Sequence, residues 1–324
     1  MKFNWDIVGH QKQQAYLQKQ IISGKIGHAY LFVGPSNLGI SEVGYYFSQT
    51  LLCEGENKPC GRCRNCRQIK KGVYADIIYV APLQKKNIII SQIRELRKKF
   101  SVRSWNSNWQ IAIIERAETM TLEAANALLK TLEEPANQQI IILLATDTKF
   151  LPKTIISRCQ IIKFLPILKT EMNEYLSSKL EDQEQISLIM QLANGYPEIA
   201  MNYVKNPKKI ITYQKMVEKY LKMFSFKKIV DRIAALENFV SNNELLFAFL
   251  EISLVVWRDI LLQKNNKPHL KINKSWLQEI EKLAEKYSSK QILTIIEKFN
   301  KIKNNRTNLN LKLSMEDLII NYSN

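Results

Sequence analysis

The sequence predicts an α/β domain with a parallel sheet, followed by a largely helical C-terminal region. Three apolar runs predict buried strands: residues 29–33 (AYLFV), 111–114 (IAII) and 139–145 (QIIILLA). None of these runs alternates apolar with polar residues, which is typical of strands covered on both faces in a parallel sheet. Helical patterns separate the runs, and this alternation indicates a doubly wound domain. We expect the domain to end near residue 166.

Two segments between the predicted strands have the periodicity of helices. Residues 90–100 place apolar side chains three and four positions apart, which gives a helix one apolar face. Residues 122–132 (LEAANALLKTL) are rich in strong helix formers. Thr121, just before them, is a residue type that caps helix N-termini. These segments complete the order strand, helix, strand.

The remainder of the chain has helical patterns throughout. Short helical segments between residues 168 and 204 are interrupted by the turn at residues 195–197, and a linker is expected near Asn206 and Pro207. Amphipathic segments at 243–262, 274–287 and 290–302 then predict a helical packing or assembly domain. We therefore predict three domains. They are residues 1–166, 167–206 and 207–324.

The composition is that of a globular protein with an excess of positive charge. Its 324 residues are more than one hydrophobic core ordinarily accommodates. The 47 Lys and Arg against 30 Asp and Glu give a net charge of +17. This charge predicts attraction to polyanions, with DNA as the first candidate, although a genome biased towards Lys, Asn and Ile would also produce it. No apolar run is long enough to cross a membrane, and residues 1–14 lack the apolar core of a signal peptide. We expect a cytoplasmic protein without a membrane partner.

The loop after the first predicted strand has the pattern of a phosphate-binding loop that lacks its lysine. Residues 34–41 (GPSNLGIS) match GxxxxGK[ST] at Gly34, Gly39 and Ser41, but Ile40 replaces the lysine. In a working loop that lysine makes a charge-assisted contact with phosphate worth about 1.5 to 3 kcal/mol or more. We therefore expect no hydrolysis and no ATP in this pocket. The alternative is a glycine turn unrelated to phosphate.

The end of the second predicted strand lacks another part of the hydrolytic machinery. Glu115 and Arg116 stand where an active ATPase carries an Asp for magnesium and a Glu that positions water. A guanidinium cannot polarise the attacking water. Arg116 therefore supports the prediction that the isolated chain does not hydrolyse ATP.

Four of the five cysteines form a compact cluster. Cys53, Cys60, Cys63 and Cys66 lie within fourteen residues and include two C-x2-C steps, with turn residues between them. In a reducing compartment this spacing predicts one structural zinc ion with tetrahedral coordination. Four ligands close the coordination sphere and leave no position for water, so no catalytic role follows. The alternative is four free thiols.

An arginine near the end of the α/β domain is a further candidate. Arg158 lies in the segment Ser157-Arg158-Cys159. An isolated arginine is usually a surface residue, but a guanidinium at a subunit boundary can stabilise charge on a phosphoryl group held by a neighbour. Cys159 lies far from the cysteine cluster in sequence and is expected to be a small buried residue.

Four segments together resemble the clamp-loader AAA+ subunits of bacterial DNA polymerase III. They are residues 28–32 (HAYLF), the cysteine cluster, residues 126–135 (NALLKTLEEP) and residues 157–159 (SRC). The resemblance covers about residues 1–165, and residues 257–259 (WRD) are similar to the collar domain of the same family. Ile40 and Arg116 make the chain more similar to the delta-prime branch than to the ATP-hydrolysing gamma/tau branch.

The resemblance implies a fold and a role. Residues 1–166 would form an AAA+ domain with a zinc module at about 53–66, residues 167–206 a helical lid, and residues 207–324 a collar. The chain would be a non-hydrolysing member of a five-subunit ring, beside gamma/tau and delta subunits, that loads the sliding clamp onto primed DNA. Arg158 would be an arginine finger for a neighbouring ATPase. Thr146 lies where active relatives place a sensor, and Glu198 about where they carry a second, arginine sensor.

Two other functions remain open at this point. One is a gamma/tau-like ATPase that uses a lysine from elsewhere, such as Lys12 or Lys25. The other is a zinc-dependent DNA-binding protein that acts without partner subunits.

Overall fold

The protein is described from a computed structural model. The described residues are 2–83, 86–102, 109–135, 138–226, 228–240, 243–267, 271–304 and 311–321. They divide into two compact units. The first comprises Met1–Glu181 and Ala193–Met201, and the second Asp182–Leu192 and Asn202–Asn324. The predicted division into residues 1–166, 167–206 and 207–324 stays a prediction.

The first unit is built on a parallel sheet. The strands of the described chain are β1 (Lys2–Phe3), β2 (Ala29–Val33), β3 (Asn57–Lys58), β4 (Ile77–Val80), β5 (Gln110–Ile114), β6 (Gln139–Ala145) and β7 (Gln160–Lys163). Five of them pair in parallel in the order β4-β5-β6-β2-β7, and β1 pairs with β3. The three predicted strands are confirmed. The sequence did not reveal β4 and β7, because four-residue strands carry little periodic signal.

Helices account for most of the remaining described residues. Those up to residue 177 are α1 (Gln11–Ser23), α2 (Ile40–Leu52), α3 (Arg64–Lys70), α4 (Ile90–Phe100), α5 (Leu122–Glu133), α6 (Lys153–Ile156) and α7 (Lys169–Ser177). Those that follow are α8 (Gln183–Ala193), α9 (Pro197–Lys205), α10 (Lys208–Ser225), α11 (Ile229–Val240), α12 (Asn243–Lys264), α13 (Leu277–Lys286), α14 (Ser289–Asn304) and α15 (Leu311–Asn321). The predicted helix at 90–100 is confirmed, and Thr121 Oγ1 caps α5 by accepting from Ala124 N at 3.2 Å.

The sheet is covered on both faces, as the continuous apolar runs predict. Successive residues of β2 point to opposite faces: Leu31 packs in one apolar core, and Tyr30 and Phe32 pack in the other. The first core is completed by α4 and α5, with Leu128 fully buried, and the second by α1 and α2, with Phe47 fully buried. This arrangement confirms the predicted parallel-sheet α/β fold with a helical C-terminal region.

The second unit is helical, and its core explains the Trp-Arg-Asp segment. Trp257 is buried, and its Nε1 donates to Tyr220 Oη at 2.8 Å. Asp259 is also buried and accepts from the backbone N–H groups of Ile272 at 3.0 Å and Asn273 at 2.8 Å. Both side chains therefore organise the interior of this unit. Among the described helices, none has both the length and the apolar character needed to span a membrane.

Candidate functional site

The loop between β2 and α2 needs glycine at two positions. Gly34 N donates to Ala145 O at 3.1 Å, and a Cβ at residue 34 would lie 2.7 Å from the carbonyl oxygen of Phe164. Gly39 has a left-handed backbone, with φ of 76°, and is the N-cap of α2. Asn37 is also left-handed, with φ of 69°. Both motif glycines are therefore required by backbone geometry, because a side chain would clash at residue 34 and be strained at residue 39.

A cleft of about 210 Å³ lies over this loop and brings most of the predicted site residues together. It is lined by the loop residues Gly34, Pro35, Ser36, Asn37, Leu38, Gly39, Ile40 and Ser41, and by Glu115, Arg116, Glu118, Leu144, Ala145, Thr146 and Glu198. Neither Lys12 nor Lys25 is among these lining residues. Arg158 and the cysteine cluster also lie outside the cleft.

The charged side chains of the cleft are mainly acidic. Three carboxylates, those of Glu115, Glu118 and Glu198, line it, against one guanidinium, that of Arg116. Thr146 Oγ1 donates to Glu118 Oε1 at 2.8 Å, and Glu118 Oε2 is buried without a hydrogen-bond partner in the described part of the chain. Because a phosphate-binding site needs cations and free donors, this charge distribution disfavours a polyphosphate.

Glu198 contacts the loop directly. Gly39 N donates to Glu198 Oε1 at 3.1 Å, and Glu198 N donates to Asn37 O at 3.2 Å. The sequence placed Glu198 near the site only through the family resemblance. It gave no indication that the carboxylate would take a hydrogen bond from the loop, since 159 residues separate the two partners.

His10 is a contact of the loop that the sequence did not reveal. His10 is 5% exposed, its Nε2 donates to Leu38 O at 2.7 Å, and its ring packs edge to face against Phe164 with 5.1 Å between the centroids. Burial lowers the pKa of His10 from its usual 6.5, and this effect exceeds the opposite effects of Leu38 O and Glu171. The neutral ring can therefore fix the loop carbonyl.

The four cysteines of the cluster converge as predicted. The Sγ atoms of Cys53, Cys60, Cys63 and Cys66 all lie within 4.8 Å of one another. A tetrahedral zinc ion would hold its four sulfur ligands about 3.8 Å apart. None of the four is in a disulfide bond. Gly55 permits this approach, because a Cβ there would lie 2.7 Å from Cys60 Cβ. Four sulfur donors at these distances can bind a metal ion.

Backbone hydrogen-bond donors and burial shift the pKa values of the clustered thiols in opposite directions. Cys60 N donates to Cys53 Sγ at 3.2 Å, and Cys63 N donates to Cys60 Sγ at 3.3 Å. Burial tends to raise the pKa of Cys60, but hydrogen bonds, led by those from the backbone of Cys63 and Arg62, lower it to about 6. Burial raises the pKa of Cys53 and of Cys66. Four thiolates would thus be stable together only beside a cation, which is the condition that a bound metal meets.

Arg158 follows α6 and lies at the surface of the first unit. Its Nη1 donates to Thr154 O at 2.9 Å, and its Nη2 lies 2.8 Å from Glu133 Oε1 at the end of α5. The side chains of Arg158 and Glu133 are 36% and 47% exposed. Next to it, burial raises the pKa of Cys159 to about 12, so that thiol is unreactive at neutral pH. The sequence gave no indication that Glu133 would pair with Arg158.

Comparison with known sequences finds similarity to subunits of DNA polymerase III. The family described as "DNA polymerase III, delta subunit" matches residues 9–167. The chain is 29% identical to the DNA polymerase III subunit delta' of Bacillus subtilis over 315 residues, which is 94% of this chain and 93% of that one. It is also 32% identical to the tau subunit of Bacillus subtilis over 185 residues, which is 56% of this chain and 32% of that one.

Comparison with solved structures supports the fold. A gamma subunit-related protein of DNA polymerase III from Thermotoga maritima matches 96% of this chain and 98% of its own length, with a TM-score of 0.52 and 19% sequence identity. At this identity the similarity concerns the fold alone.

Proposed function

This chain is a relative of the bacterial DNA polymerase III delta-prime subunits, in the clamp-loader AAA+ family, and we propose that it is a non-hydrolysing clamp-loader subunit. It would help to load the sliding clamp onto primed-template DNA together with gamma/tau and delta subunits. The observation that carries the proposal is the division of charge: the cleft has Ile40 where phosphate needs a cation, whereas the guanidinium of Arg158 is partly exposed outside that cleft.

In this proposal the cleft of the chain itself does not hydrolyse ATP. Ile40 offers no cation to the β and γ phosphates, and Arg116 lines the cleft where the family resemblance implies the water-positioning glutamate. The excess of carboxylates in the cleft supports the same conclusion. The chain would therefore carry no ATP in its own pocket, and the gamma/tau subunits would supply the hydrolysis.

Arg158 would act on the ATP of a neighbouring subunit. A guanidinium inserted beside the transferring phosphoryl group stabilises the charge that develops there in the transition state. Partial exposure and the weakness of a solvent-exposed ion pair such as that with Glu133 leave the side chain of Arg158 accessible to such a partner.

The cysteine cluster would hold one structural zinc ion. Cys53, Cys60, Cys63 and Cys66 supply four sulfur ligands, and zinc is the metal that prefers this donor set in a tetrahedral site. A bound dication would stabilise the four thiolates together. The closed coordination sphere would stabilise the segment between α2 and α3 without chemistry of its own.

The remaining parts of the proposal concern organisation and partners. Residues 167–206 would be the lid and residues 207–324 the collar that holds the ring together. The net charge of +17 supports contact with DNA in the complex. We place the protein in the cytoplasm, where replication takes place.

Reconstitution tests the proposal. The chain would be purified with the gamma/tau and delta subunits of its own organism, and ATP turnover measured with clamp and primed DNA. We expect a stable complex whose turnover depends on this chain, and no turnover by the chain alone. Turnover by the isolated chain would instead indicate a gamma/tau-like ATPase. Tight DNA binding without partners would indicate a zinc-dependent DNA-binding protein.

A further inference from the structure

The phosphate-binding loop already has an anion, and it comes from the same chain. The Glu198 carboxylate accepts the hydrogen bond of Gly39 N at 3.1 Å. In a working phosphate-binding loop, backbone N–H groups at this helix N-terminus point at the phosphate. Glu198 therefore takes a donor that a nucleotide would need.

Several backbone contacts hold Glu198 in this position. Its own N–H donates to Asn37 O at 3.2 Å. The turn before α9 is fixed by a hydrogen bond from Ile167 N to Gly195 O at 2.8 Å. Gly195 has a φ of 84°, and a Cβ there would lie 2.8 Å from Pro166 Cβ, so this turn packs closely against the segment after β7. These contacts all lie within the first unit. The first turn of α9 is thus held against the loop by hydrogen bonds.

The electrostatics of two helices favour the carboxylate at this point. Gly39 is the N-cap of α2, and Glu198 lies in the first turn of α9. The N-terminus of a helix carries partial positive charge, so an anion near two such ends is stabilised by both. Ile40 supplies no side-chain cation that would attract a phosphate instead.

We propose that Glu198 is the resident anion of this loop and that it excludes nucleotide independently of the missing lysine at residue 40. The carboxylate occupies the donor by hydrogen bonding and repels phosphate by charge. It also links the loop to α9, so the donor of Gly39 serves a structural contact within the chain. The inference goes beyond the proposed function, because it concerns the isolated chain and does not depend on clamp loading.

Restoring the lysine with and without the carboxylate tests the proposal. Equilibrium binding of labelled ATP with magnesium would be measured for the wild type, Ile40→Lys, Glu198→Ala and the double variant. We expect weak or no binding by the first three. The double variant should bind about tenfold or more tightly than Ile40→Lys, because a charge-assisted hydrogen bond no longer competes.

Two further variants keep the test decisive. Glu198→Gln in the Ile40→Lys background preserves the shape and removes the charge, so we expect an intermediate affinity. Glu174→Ala in the same background removes an exposed carboxylate on α7 outside the cleft and should give no gain. The proposal is overturned if the double variant does not exceed Ile40→Lys, whether both bind or neither does. An equal gain from Glu174→Ala would also overturn it.

Discussion

Arg158 Nη2 lies 2.8 Å from Glu133 Oε1, so the end of α5 holds the guanidinium that follows α6. Both side chains are more than one third exposed. Exposed ion pairs of this kind contribute about 0.2 to 1 kcal/mol, because water screens the charges. Glu133 therefore orders the guanidinium of Arg158, and little free energy is needed to separate the two side chains.

Arg158→Ala should lower the ATP turnover of the reconstituted complex. An arginine supplied by a neighbour is worth roughly 10³ to 10⁵ in the rate of the ATPase site it serves. That site should therefore become inactive, and the ATP turnover of the complex should fall by the fraction that the site contributes. Steady-state ATP hydrolysis with clamp and primed DNA measures the effect. Lys153→Ala, which removes an exposed cation of α6, is the matched control and should leave turnover unchanged. Equal turnover by the wild type and Arg158→Ala would refute the role.

The same pair should matter little for stability. Arg158→Ala and Glu133→Gln should each lower the free energy of unfolding by about 1 kcal/mol or less, because the pair is exposed. Urea titration of the isolated chain gives this value. A loss of several kcal/mol would mean that Arg158 is part of the fold, and its effect on turnover would then have a structural explanation.

The cysteine cluster should contain close to one zinc ion per chain. Elemental analysis of the purified protein measures this content, and Cys60→Ser should lower it by removing one of four ligands. Cys159→Ala is the control, because this thiol lies outside the cluster and should not alter the zinc content. A stable wild-type preparation free of metal would contradict the zinc site.

Stability should fall as the pH drops below about 6.5 because of His10. Burial lowers the pKa of His10 in the folded chain. As the pH falls, the unfolded chain therefore takes up a proton at a pH at which His10 of the folded chain is still neutral. The contribution is therefore present above the unfolded pKa of about 6.5 and lost below it. Urea titrations between pH 5.5 and 7.5 should show a smaller pH dependence for His10→Gln than for the wild type. The exposed His28 offers a control in His28→Gln, and identical slopes for all three proteins would exclude His10 as the cause.

Asp259→Asn should destabilise the helical unit. Asp259 accepts hydrogen bonds from Ile272 N, Asn273 N and Asn273 Nδ2, all at 3.1 Å or less. In asparagine an NH2 group replaces one of the two acceptor oxygens and would face an N–H donor. We expect a loss of about 1 to 3 kcal/mol in the free energy of unfolding. Asp231→Asn, at an exposed position in the first turn of α11, should cost less than about 1 kcal/mol. Equal losses would show that the buried contacts of Asp259 are not the reason.

Local pattern was sufficient for much of the fold. The runs that form β2, β5 and β6 are continuously apolar because the sheet is covered on both faces, and α4 and α5 have the predicted periodicity. The strand β7 was not predicted from the sequence, because it is short and only Ile162 among its residues is buried. The two C-x2-C steps predicted the cysteine cluster because their ligands are close in sequence, and closeness in sequence limits how far they can separate in space.

The sequence by itself determined which chemical groups are present at the candidate site: an isoleucine at residue 40 in place of a cation, four convergent thiols, and an arginine at residue 158. The tertiary structure alone decided which residues distant in sequence contact the loop. Gly39 and Glu198 are 159 residues apart, and His10 and Leu38 are 28 apart. Such pairs leave no periodic signal in the chain, because their approach is set by the packing of strands and helices rather than by local backbone geometry.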